Sequence, residues 1–109
     1  MPFENTPLPY AFDALEPYID ARTMEIHHDR HLQAYIDGLN RAIAPFPALQ
    51  NCTAARLAVL NAPALRCIRP ALCRNAGGVF NHRFYFAGMT PDGGRRLPCG
   101  ACWNWLTSP

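Results

Sequence analysis

Lysine is absent from this chain, and all ten basic residues are Arg. That preference reads as a compositional bias of the source and marks no site. Charge is scarce as well. Charged residues make up 17% of the chain and the formal net charge is +2, so nothing here calls for nucleic acid or an anionic membrane as partner. No apolar run approaches the roughly 20 residues needed to span a bilayer, so no membrane protein is expected. The opening MPFENTPLPY lacks a basic start, an apolar stretch and a small-residue cleavage site. It does not read as a secretory leader, and the expected location is cytoplasmic. The five Cys (Cys52, Cys67, Cys73, Cys99 and Cys102) are an odd number, which argues against a disulfide framework. Cys99-Gly-Ala-Cys102 is a lone CxxC. It lacks the preceding strand and following helix start of a redox pair, and the second pair of a zinc ribbon. What is plentiful is apolar surface: 50% of 109 residues. That suffices for one small domain with a modest core, is too little for two, and excludes a disordered acidic tail.

Proline and glycine punctuate the rest. Pro2, Pro7 and Pro9 each remove a donor, so residues 1–10 are expected to be extended. Residues 13–19 read as a turn or short helix stopped near Pro17, with Asp20 placed to cap a helix starting at Ala21. From Ala21 to Ala44 there is no Pro, and Met24, Ala34, Leu39 and Ile43 mix with polar residues at helical spacing, predicting one long helix over 21–44. Pro45 and Pro47 break it. Residues 52–62 read as a short helix or a loop. A second long helix is predicted over 71–88, interrupted by Gly77 and Gly78. Paired glycines inside a helix cost stability, and their usual justification is close approach of another helix. TPDGG (90–94) is a turn. The fold class is therefore all-α, a long antiparallel helical hairpin with an irregular C-terminal tail over 95–109.

All four His fall on these two helices: His27, His28 and His31 on the first, His82 on the second. Positions four apart share a helix face, so His27, His31 and Tyr35 form one stripe, with His28 about a quarter-turn away. His82 and Phe86 form a similar stripe, with Gly78 one turn earlier. Two imidazoles on facing helices can converge on one metal. The same residues can equally be surface or core histidines, with Tyr35 and Phe86 as ordinary core aromatics. The HHxxH spacing is no zinc-peptidase motif, because His28 stands where the Glu of HExxH belongs.

Two blocks narrow these readings. LPYAFDALEPYIDARTMEIHHDRHLQAYIDGLN (8–40) and NAGGVFNHRFYFAGMTPDGG (75–94) resemble, in the same order and at a similar separation, the N-terminal helical hairpin of the iron/manganese superoxide dismutases. The resemblance implies a hairpin domain over 1–94, with 95–109 an unmatched tail. It implies a metal-dependent enzyme converting superoxide to oxygen and hydrogen peroxide, with His27 and His82 as metal ligands. It further places His31 and Tyr35 in the catalytic gateway and proton network, and Phe86 along the metal pocket. It implies manganese or iron as cofactor. Gly78 leans toward manganese, because iron-type members often carry Gln there. Homo-oligomers, dimers or tetramers, are the family habit.

The chain departs from the family in one decisive respect. The remaining Asp and His ligands should come from an Asp-x-Trp-Glu-His motif in a C-terminal domain, and no such motif is present; Trp103 and Trp105 lack that context. The expectation is a truncated family member, weakly active or inactive as this chain. The alternative is a non-catalytic helical metal-binding or interaction module, in which His27, His82, Cys99 and Cys102 hold zinc.

Overall fold

The computed structural model describes residues 2–91, and among these every regular element is helical. The first arm of the hairpin is a continuous helical rod in three parts: α1 (Ala21–Ile26), a π-helical turn (His27–Leu32) and α2 (Gln33–Ile43). The single helix expected over 21–44 is thus present, but its central turn is widened to i→i+5 bonding. Such π turns are rare and cluster at functional sites. Met24, Leu32, Ile36, Leu39 and Ile43 line the buried side of the rod. Asp20 sits at the expected start in extended backbone, yet its side chain caps nothing. The turn over 13–19 carries Glu16 across instead, and its carboxylate accepts from the Ala21 N–H at 3.1 Å. At the far end α2 stops before Pro45, and the Ile43 carbonyl accepts from the Phe46 N–H at 2.9 Å and from Gln50 Nε2 at 2.6 Å.

The second arm is α4 (Arg69–Gly88). It starts two residues earlier than predicted, because Pro70 falls in the first turn, where a missing N–H costs nothing. Between the arms, residues 52–62 contain a short helix, α3 (Ala54–Val59), with Thr53 Oγ1 accepting from the Arg56 N–H at 3.2 Å. The arms run antiparallel: Gly38 faces Asn75, Tyr35 faces Gly78, and His27 faces His82. Leu39, Ile43, Leu57, Leu72 and Val79 are fully buried where α2, α3 and α4 meet. Each contributes roughly 1.5–3 kcal/mol by leaving water.

The extended N-terminal segment is a strap across the hairpin. Buried Asn40 accepts from the Phe3 N–H at 3.2 Å and donates to the Phe3 carbonyl at 2.9 Å. Asn5 Nδ2 donates to the His28 carbonyl inside the π turn at 2.9 Å. Tyr10 donates to the Phe86 carbonyl at 2.8 Å, and Arg83 donates to the Glu4 carbonyl at 3.0 Å. The strap therefore bonds to both arms beside the histidines.

Of the paired glycines, Gly78 meets the expectation of close approach: a Cβ there would collide with the Tyr35 ring. Gly77 does not, since a Cβ at that position would meet nothing within 4 Å. It lies on the outer side of α4, where none of the described residues approaches. The irregular tail over 95–109, with Cys99 and Cys102, lies outside the described residues.

Candidate metal centre

The hairpin brings together four of the predicted residues. His27, on the first residue of the π turn, and His82, on α4, meet edge to face with ring centres 4.8 Å apart. His31 lies 5.6 Å from His27, and Tyr35 lies 5.2 Å from His82. Phe86 is buried beneath, 5.1 Å from His27 and 6.4 Å from His82. The cluster opens to solvent through two hollows. One, of about 280 Å³, is lined by His27, Asn81, His82 and Tyr85. The other, of about 380 Å³, is lined by Thr23, Ile26, His27 and His31.

Hydrogen bonding fixes which ring atoms are free. His82 Nδ1 lies 2.7 Å from the Gly78 carbonyl one turn back. A carbonyl only accepts, so Nδ1 carries the proton and Nε2 keeps its lone pair for a ligand. A backbone carbonyl behind a ligating imidazole is the usual second support of a metal-bound His. For His27, burial first, and then the neighbouring imidazoles of His82 and His31, hold the pKa below the ordinary histidine value. Both effects favour the neutral ring, which is the form that binds metal. Two imidazoles sharing one ion place their ring centres about 5 Å apart, each roughly 3 Å from the metal. The 4.8 Å separation of His27 and His82 matches that requirement. The pair supplies only two donors, however. Among the described residues no three His, Cys, Asp or Glu side chains converge as a ligand set.

His28 has a different task. Its ring is buried, with Nε2 2.8 Å from the Thr6 carbonyl and Nδ1 2.8 Å from Asp29 Oδ1. Each nitrogen faces an oxygen at 2.8 Å, so neither is open to a metal. It anchors the strap, and nothing in its spacing signals this. Motif reading also overlooks Tyr85, which packs 5.4 Å from His27 and 5.6 Å from Phe86. Its position three residues after His82 places it on the same side of α4, so that contact is legible in the spacing.

Residues 2–90 match the alpha-hairpin domain of the iron/manganese superoxide dismutases. The chain belongs to this family. It is 48% identical over 101 residues to a superoxide dismutase [Mn] 3 of Leptolyngbya boryana, covering 92% of this chain and 41% of that protein. It is 44% identical over 96 residues to a superoxide dismutase [Mn] of Pseudomonas aeruginosa, covering 88% and 47%. A superoxide dismutase [Mn] of Thermus aquaticus is 43% identical over 100 residues, covering 91% and 48%. The chain spans about half the length of the curated relatives it matches. The superoxide dismutase resemblance of the two sequence blocks is thereby established, and so is the all-α hairpin it implied. No helix of the described residues is long and apolar enough to cross a membrane.

Proposed function

We infer that this chain is the helical-hairpin half of a metal-dependent superoxide dismutase site, its domain running over residues 1–94 with 95–109 a tail beyond it. The observation that carries this reading is the edge-to-face meeting of His27 and His82 at 4.8 Å, with the lone pair of His82 left free by its bond to Gly78. These two rings would hold manganese or iron. Manganese is favoured, because position 78 is Gly where iron-type members often carry Gln, and here the Tyr35 ring occupies the space beside it. The Leptolyngbya, Pseudomonas and Thermus relatives carry manganese in their names as well.

When bound, the metal supplies a one-electron couple able to take an electron from one superoxide and give one to the next. The chain's own residues do the rest. His31, exposed beside His27, and Tyr35, packed on His82 between the arms, flank the two ligands, where an imidazole and a hydroxyl can hand protons to a reduced oxygen species. Buried Phe86 closes the inner wall and keeps water from the rear of the site. The lowered pKa of His27 keeps that ring available to metal in mildly acidic solution. With two protein ligands the ion stays weakly held, so this chain by itself is weakly active or inactive.

The test is metal content and superoxide-dismutating activity on one purified sample, beside His27→Ala and His82→Ala. The expected outcome is sub-stoichiometric manganese or iron, lost in both variants, with activity far below one full site per chain. Full activity with one metal per chain would refute the half-site reading. Metal retained in both variants would refute the ligand assignment.

A further inference from the structure

Three consecutive strap residues hold both arms, and each hold falls beside a proposed ligand. Arg83, which follows His82, donates to the Glu4 carbonyl at 3.0 Å. The Asn5 amide donates at 2.9 Å to the carbonyl of His28, which follows His27. The His28 ring in turn places Nε2 2.8 Å from the Thr6 carbonyl. Main chain and side chain of His28 are thus held together, and consecutive strap residues stand a covalently fixed distance of about 3.8 Å apart. The Asn5 side chain is not explained by stability alone. Its Oδ1 is shielded from solvent, and among the described residues no group donates to it. A buried acceptor without a partner costs free energy that a leucine of the same branching would not incur. What the amide supplies instead is the bond from Nδ2 into the π turn.

We propose that Glu4-Asn5-Thr6 is a clasp that sets the separation of His27 and His82, with Asn5 a positioning residue that acts on His27 through the His28 carbonyl. The proposal rests on the ligand reading of those two rings. The lever is short. Side chains on a helix reach about 5–6 Å from its axis, so a rotation of about 10° carries a ring there by about 1 Å. Helices bend at π turns, so bonds from outside the rod help decide where His27 points. The 4.8 Å between the ring centres leaves little slack, because metal–ligand distances tolerate only about 0.2 Å. Asn40 provides the contrast. It holds Phe3 on α2 and touches no neighbour of either ligand, so cutting it loosens the strap while leaving the three clasp bonds in place.

Asn5→Leu tests this on the intact chain with two readouts. The first needs no metal. The carbon-bound ring protons of His27 lie against the rings of His82 and Phe86, so their NMR shifts report where the ring sits. The second is the affinity for Mn²⁺ added alone, read from its broadening of the same resonances. Asn5→Leu should move the His27 ring resonances and weaken Mn²⁺ binding about tenfold, the low end of what losing such a support costs. Its urea midpoint should stay near that of the unaltered chain, because losing the orphan acceptor offsets losing the Nδ2 bond. Asn5→Ala, which removes the donor without adding apolar bulk, should move the resonances in the same way. Asn40→Ala should lower the urea midpoint and leave the His27 resonances and Mn²⁺ affinity where they were. Unmoved His27 resonances in both Asn5 variants would overturn the proposal. So would equal shifts in Asn5→Leu and Asn40→Ala, which would make the strap a general brace. No Mn²⁺ binding by the unaltered chain would refute the ligand reading, and the ring-proton shifts alone would then support or overturn the placement of His27 by Asn5.

Discussion

Replacing Gly78 with Ala sets two opposed effects against each other at one atom. In a helix interior Ala is favoured over Gly by about 1 kcal/mol, because it loses less backbone entropy on folding. The added methyl, however, falls among Cγ, Cδ1 and Cε1 of Tyr35, with Cε1 only 2.7 Å away. A phenol ring packed between two helices is no flexible tip, so the ring must turn or the arms must part. Overpacking of this kind costs about 1–3 kcal/mol. The net expectation for Gly78→Ala is a loss of roughly 0–2 kcal/mol, read as a lower midpoint in urea with an unchanged slope. The decisive measurement is the double-mutant cycle with Tyr35→Ala. Once the ring is gone, Gly78→Ala should stabilise by about 1 kcal/mol, giving a coupling of roughly 1–3 kcal/mol between the two positions. Metal affinity should fall with Gly78→Ala too, since Tyr35 packs on His82 at 5.2 Å and the Gly78 carbonyl orients that ring. Equal stabilisation in both backgrounds would show that the arms do not meet at Tyr35 and Gly78, and the reasoning about the site would fall with it.

Asn40→Ala leaves the N–H and carbonyl of Phe3 without partners and should cost about 2 kcal/mol in urea denaturation; a loss under about 0.5 kcal/mol would show that the strap contributes little. His28→Gln should lower stability by about 1–2 kcal/mol without changing metal content, whereas metal loss equal to that of His27→Ala would make His28 a ligand after all. The metal-free chain should lose stability in mild acid. His27 has a folded pKa below its unfolded value of about 6.5, so below that pH the unfolded chain takes up a proton which the folded ring resists. Its contribution is complete above about pH 6.5, falls as pH drops toward the folded pKa, and levels off beneath it. Thermal melts from pH 8 to pH 5 should show a shallower fall in His27→Gln, and an identical fall would assign the dependence to other groups.

The two long arms were legible because their apolar residues repeat at helical spacing and Pro45, Pro47 and Pro70 bound them. The stripe of His27, His31 and Tyr35 was legible for the same reason, and so was the apposition of Gly78 with a neighbouring helix. Sequence periodicity could not show the π turn, because one widened turn shifts the phase of a helix without changing its composition. It could not show that Glu16 rather than Asp20 serves the start of α1, since that depends on how the turn over 13–19 folds back. The extended course of the strap was legible in Pro2, Pro7 and Pro9. Its anchors were invisible, because Asn40, His28 and Phe86 are 23–76 residues away from Phe3, Asn5 and Tyr10. Long-range hydrogen bonds leave no local pattern.

Those separations set an order of events during synthesis. Glu4 leaves the ribosome 79 residues before its partner Arg83, and Tyr10 precedes Phe86 by 76. At elongation rates of about 5–20 residues per second, the strap waits roughly 4–16 s for its anchors on the second arm. Its bonds to Asn40 and His28 become available much earlier. The nascent chain can therefore lay Phe3 and Asn5 along the first arm while α4 is still being made, holding the π turn in shape before His82 exists. A metal ion meeting the chain in that interval would find His27 in place and His82 not yet made. On the proposed ligand assignment, loading on the hairpin would wait until α4 has closed over the first arm.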